Sequence, residues 1–334
     1  MRRAAAATLF LSACAASPSG DGTADASRAE PADGSTTGAA PTALFAPSAD
    51  PDEPATGADA RGPTGLGEPA ALQASADPAA PDLALDGEFI QGGLIFAKTV
   101  PGATATLDGV AVFVGETGDF VFGFGRDNPT NAELVVAGPD GGVVRRAFDI
   151  TKRTYKVSRI DGLDQSKVDG FTPAQLEQIR ADTAKKKAAR KNTEPTALWR
   201  SGFDWPVTGR ISGVFGSQRV LNGVPKRPHS GIDIARPTGT PVRAPADGVV
   251  TLAEEDMYFE GGLILMDHGH WLESAFVHLS RLDVEPGQRV KKGEVLGAVG
   301  ATGRATGPHL HWSVKWAGRL VDPQLLVGDM PETD

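Results

Sequence analysis

His309-Leu310-His311-Trp312-Ser313-Val314-Lys315-Trp316 alternates without a break between polar and apolar side chains. Successive side chains of a β-strand point to opposite faces, so His309, His311 and Ser313 share one face while Leu310, Trp312, Val314 and Trp316 pack on the other. The stretch reads as a half-buried strand that turns two imidazoles to its open side. The sequence around it has the same texture: segments 239–250 and 290–297 read as strand, turn, strand, with glycines between short apolar runs. Residues 200–328 are therefore expected to form an all-β domain, a sandwich or partly open barrel.

All six histidines of the chain lie in its last third. In His229-Ser230-Gly231-Ile232-Asp233 an imidazole and a carboxylate stand four residues apart. Pro228, Gly231 and Pro237 argue against a helix here, and an extended segment with both groups on one face can offer a nitrogen and an oxygen to a metal. The glycine-rich run 300–308 leads into His309 and lets the backbone approach a cleft closely. His278 sits in a further strand-like run, Phe276-Val277-His278-Leu279. His268-Gly269-His270 is a second H-x-H, but its central glycine and the preceding Met266-Asp267 suggest a turn, so both of its histidines are read as structural.

The 334 residues leave room for more than one unit. A net charge of -9 argues against nucleic acid as a partner, because phosphate binding needs clustered Lys and Arg. The single cysteine, Cys14, excludes an intrachain disulfide. Arg2 and Arg3, an apolar run over 4–11 and Leu11-Ser12-Ala13-Cys14 resemble a bacterial lipobox, so residues 1–14 are expected to be a lipoprotein signal with Cys14 as the lipidation site. Ala15 is compatible with outer-membrane sorting. Residues 15–86 are rich in Ala, Gly, Pro, Ser, Thr and Asp and are expected to be a disordered tether with a typical span of roughly 45 Å. Residues 87–160 carry short apolar runs split by turn signals such as Asp108-Gly109, and read as a small β-sandwich domain that acts as a spacer. Within 161–199, a helical linker, Thr172 is a plausible N-cap for a helix from Pro173, whose basic run around Lys185–Lys187 is expected to face solvent.

Taken in order, His-x-x-x-Asp at 229–233, His278-Leu279 after an apolar run, and Thr306-Gly307-Pro308-His309-Leu310-His311 resemble the lysostaphin-type or LytM-type peptidoglycan endopeptidases of the M23 metallopeptidase family. The resemblance covers residues 200–328. It implies Zn2+ held by His229, Asp233 and His311, with His278 and His309 as unliganded catalytic histidines. The implied activity is hydrolysis of peptidoglycan stem-peptide cross-links through a zinc-activated water. A lipid-anchored protein of the cell envelope, on the periplasmic side and with a possible regulatory protein partner, is the corresponding expectation. Two rivals remain open: a non-enzymatic wall-binding lipoprotein that activates another hydrolase, since some relatives have lost ligands, and a biotinyl or lipoyl carrier, which would leave the histidines unexplained.

Overall fold

A computed structural model of the chain describes residues 79–162, 170–191 and 193–331, whose regular elements are mostly β-strands. Cys14 and most of the segment expected to be a tether lie outside the described residues. Strands β1 (Leu83–Gly87), β2 (Leu94–Thr99), β3 (Thr104–Leu107), β4 (Val110–Val112), β5 (Asp119–Gly123), β6 (Asn131–Ala137) and β7 (Val143–Asp149) come first. They form two antiparallel sheets, ordered β1-β2-β5 and β4-β3-β6-β7. The Asp108-Gly109 pair turns the β3–β4 hairpin with both residues at positive φ, 51° and 78°, as a tight two-residue hairpin requires. The ordered strands begin at Leu83 rather than at residue 87, because Leu83 and Leu85 alternate inward along β1.

These sheets do not stand apart from the rest of the chain. Phe120, Phe122, Leu107 and Leu134 belong to the same buried cluster as Ile232, Leu310 and Trp312, within one compact unit. Phe96 stacks on Trp199 with ring centroids 5.1 Å apart, and Arg153 pairs with the buried carboxylate of Asp322 at 2.8 Å.

Strand β8 (Val157–Ile160) and helix α1 (Pro173–Ala189) follow. The helix starts where its capping chemistry places it: Thr172 Oγ1 accepts from the Gln175 N–H, and Gln175 Oε1 accepts from the Thr172 N–H. Of its basic run, Lys185, Lys187 and Lys191 are exposed as expected, whereas Lys186 and Arg190 turn onto the C-terminal sheet. Lys185 pairs with Glu254 at 2.9 Å, Arg190 with Glu273 at 2.7 Å, and the buried Lys186 with Glu260.

The remaining strands are β9 (Arg210–Gly213), β10 (Gln218–Leu221), β11 (Val224–Pro225), β12 (Ile232–Ala235), β13 (Pro241–Arg243), β14 (Gly248–Met257), β15 (Gly261–Asp267), β16 (Leu272–Leu279), β17 (Arg281–Leu282), β18 (Arg289–Val290), β19 (Val295–Ala298), β20 (His309–Trp316) and β21 (Arg319–Val321), with a short α2 (Gln324–Val327) at the end. The main sheet runs β18-β14-β15-β16-β20-β12-β9, with β21 beside β20. Every residue of β15 is buried, as suits a strand covered on both faces, whereas β20 alternates strictly between buried and half-buried positions. A second sheet, β13-β19-β17, and a third, β11-β10-β8, complete the fold; in the third, β8 pairs parallel to β10.

Candidate metal centre and active site

Strand β12 lies between β20 and β9, and its register sets Asp233 directly opposite His311 on one side and opposite Gly213 on the other. Opposed residues of an antiparallel pair hold their Cβ atoms about 5 Å apart, so a carboxylate and an imidazole on the same face must meet. His229 enters from the turn before β12. The three donors converge: His229 Nε2 lies 3.0 Å from Asp233 Oδ1 and 3.0 Å from His311 Nδ1, and His311 Nδ1 lies 2.8 Å from Asp233 Oδ1.

The outer hydrogen bonds allow both imidazoles to turn a lone pair inward. His229 Nδ1 faces the Val214 carbonyl at 3.1 Å, which can only accept, so its Nε2 is a bare lone pair. His311 Nε2 meets the Ser230 hydroxyl at 3.2 Å, which is able to accept its proton and so leave Nδ1 as an inward lone pair. In that state three acceptors point at one another with no proton between them, an arrangement that repels unless a cation lies among them. Donors about 2.0–2.1 Å from a tetrahedral zinc stand about 3.3 Å apart, close to the spacings found here. The residues present therefore fit a zinc ion, with two nitrogens, one oxygen and a side left open. Burial alone would raise the Asp233 pKa, but in the metal-free site protons donated by His229 and His311 outweigh it and hold the carboxyl far below the usual carboxylate range, a place that the cation takes when bound. Burial also lowers the pKa of His311, which favours the neutral form that a metal needs.

His278 and His309 stand beside this group, with ring centroids 4.8 Å apart. His278 Nδ1–H donates to the Thr302 carbonyl and His309 Nδ1–H to the Gly307 carbonyl, both at 2.8 Å, so each keeps a free lone pair at Nε2. His309 Nε2 is 3.7 Å from Asp233 Oδ1. A bulge aims His278. Between Phe276 and Leu279, β16 holds one residue more than β15 holds between Ile264 and Gly262, and His278 adopts φ 66°. Burial, with His311 and His309 nearby, lowers its pKa to about 4, so the ring is neutral at pH 7.

The other two histidines lie elsewhere. His268 is fully enclosed, between the Asp247 carbonyl and the Ser274 hydroxyl at 2.8 Å each. His270 bonds the Pro195 carbonyl at 2.9 Å and packs between Phe113 and Trp199. Sequence reasoning gave no role against the carboxylate to Arg219, whose guanidinium lies 3.4 Å from Asp233 Oδ2, and did not find the carbonyls of Val214 and Thr302 that orient the imidazoles. Only the glycine-rich run 300–308 signalled the Thr302 contact.

A buried His-Asp-His centre on an all-β scaffold, flanked by two imidazoles with free lone pairs, defines a metallohydrolase type of site. Residues 227–323 match the family model described as Peptidase family M23. A Pseudomonas aeruginosa protein, solved as a peptidase M23, superposes with a TM-score of 0.56 at 33% identity over 72% of this chain and 96% of that one. The chain belongs to peptidase family M23. The peptidoglycan DD-endopeptidase ShyA of Vibrio cholerae is 43% identical over 130 residues, which are 38% of this chain and 30% of that protein. The DD-carboxypeptidase/endopeptidase Mpg of Neisseria meningitidis is 42% identical over 126 residues, 38% of this chain and 29% of that protein. The chain thus spans less than a third of the length of these curated relatives.

Proposed function

We propose that the protein is a zinc endopeptidase that hydrolyses the peptide cross-links of bacterial peptidoglycan. The observation that carries this reading is the convergence of lone pairs from His229 Nε2, Asp233 Oδ1 and His311 Nδ1, with His278 and His309 beside them. Zinc held by these three residues would supply Lewis acidity to the scissile carbonyl and to a water. The chain's own groups would move the protons. Because the Thr302 and Gly307 carbonyls hold both Nδ1–H groups, Nε2 of His278 or of His309 is free to accept a proton from the attacking water. The same ring then returns that proton to the leaving amine. The names of ShyA and Mpg support stem-peptide cross-links as the substrate class. Lipidation at Cys14 would hold the enzyme at the envelope membrane, within reach of the wall.

The test is digestion of purified sacculi by the full chain, with and without a chelator, followed by mass analysis of the released peptides. Chelator-sensitive loss of cross-linked dimers is expected. Intact cross-links after prolonged digestion by the zinc-loaded protein would favour the activator reading.

A further inference from the structure

Oδ1 of Asp233 is taken up by His229 and His311, and Oδ2 points the other way, toward Arg219. The Asp233 side chain is 11% exposed and that of Arg219 is 44% exposed, so the guanidinium covers the carboxylate from the solvent side. Arg219 does not come from the main sheet. It lies on β10, whose neighbours are β11 and, in parallel, β8. Arg219 is paired with Ser158, and the bonds Gln218 N–H to Lys156 O (2.8 Å) and Asn222 N–H to Ile160 O (2.9 Å) bracket it. The segment upstream of the family-matched region therefore sets where this guanidinium stands. Further contacts run the same way: Arg126 donates to the Gly216 carbonyl at 2.7 Å, and the Gly216 N–H donates to the carbonyl of His229 at 2.9 Å.

A carboxylate that binds a metal through one oxygen needs its second oxygen held, or it can rotate and chelate through both. Partners of this kind around a metal site fix ligand orientation, and their loss weakens metal binding about 10–100-fold. We propose that Arg219 is a positioning residue that holds Oδ2 of Asp233, so that Oδ1 alone faces the metal, and that β8 holds Arg219 in place. The inference rests on the reading of His229, Asp233 and His311 as the zinc ligands. Its physical rival is repulsion: a guanidinium this close to a bound cation opposes it, so if charge outweighed orientation, removing Arg219 would tighten binding.

The experiment titrates zinc into the full-length apo chain against a chromophoric chelator, and records the visible absorption of the cobalt-loaded protein, which reports coordination. Arg219→Ala should weaken zinc binding about 10–100-fold and alter the cobalt absorption. Arg219→Lys, which keeps the charge and loses the planar fork, should recover part of the loss. Ser158→Pro, which disrupts β8 beside Arg219, should weaken binding in the same direction. Thermal unfolding of each apo variant at the wild-type temperature shows that the fold is kept. Unchanged or tighter binding in Arg219→Ala overturns the proposal, and wild-type binding in Ser158→Pro overturns the role of β8. Asp233→Ala separates the two readings: if it binds zinc as the wild type does, the ligand assignment itself has failed.

Discussion

Gly213 stands opposite Asp233, and a methyl group there would strike the metal site. A Cβ added at 213 would lie 2.2 Å from Asp233 Oδ2 and 3.0 Å from His229 Cε1. An ordinary carbon to oxygen contact is about 3.3 Å or more, so the carboxylate must retreat by about 1 Å, several times the tolerance of about 0.2 Å on a metal-ligand distance. Gly213→Ala should therefore weaken zinc binding by at least about tenfold and lower turnover by about a hundredfold, the usual consequence of a misplacement of this size. Overpacking should cost about 1–3 kcal/mol of stability, which leaves the variant folded and measurable. Chelator competition reads the first effect and sacculus digestion at saturating zinc reads the second. If both stay within threefold of wild type, the close approach of β9 to Asp233 is not a constraint and the site geometry argued here is wrong.

Three further outcomes follow from the same structure. His278→Ala should keep zinc bound while turnover falls about 10²–10⁴-fold, whereas His311→Ala should lose both; metal analysis beside single-turnover digestion separates them, and normal turnover in His278→Ala would refute the proton-transfer role. Lys186→Met strands the Glu260 carboxylate beneath α1 and should cost about 3–5 kcal/mol in urea unfolding, with recovery in Lys186→Met/Glu260→Met; a loss below about 1 kcal/mol would mean that the pair is screened by solvent. Burial lowers the His268 pKa to about 4, below the ordinary value of 6.5, so its neutral form contributes stability that is full above pH 6.5 and is lost as pH falls toward 4. Asp267, pushed up to about 6 by burial, acts in the opposite sense between about 6 and 3.8. The two oppose each other between pH 7 and 5 in the wild type, so urea unfolding across that range should show His268→Gln gaining stability relative to wild type as pH falls, and equal slopes would show that the imidazole titrates freely.

The parts of this structure governed by local chemistry could be read from sequence. Strict alternation over 309–316 made β20 a strand with two imidazoles on one face, and Thr172 with Gln175 marked the start of α1. The five residues nominated for the site are brought together: His229, Asp233, His309 and His311 were marked by local spacing, whereas His278 was nominated only by the family resemblance. What depended on distant partners could not be read. Lys186 looked like part of a solvated basic run, since nothing local reveals Glu260, 74 residues further on. The parallel pairing of β8 with β10 leaves no periodic trace, and with it the placement of Arg219 against Asp233 was hidden. The left-handed turn at His278 was equally silent: a bulge is a property of two strands in register, and only one of them contains the histidine. The two N-terminal sheets read as a separate sandwich because their turns are local, whereas the apolar core they share with the C-terminal strands is not.

The most direct measurement is anomalous scattering at the zinc edge from crystals of the full chain purified without added metal. The account predicts one peak bounded by His229 Nε2, Asp233 Oδ1 and His311 Nδ1, within about 2.3 Å of each. A peak at His268 and His270, or zinc-loaded crystals with no density among those three atoms, would contradict it.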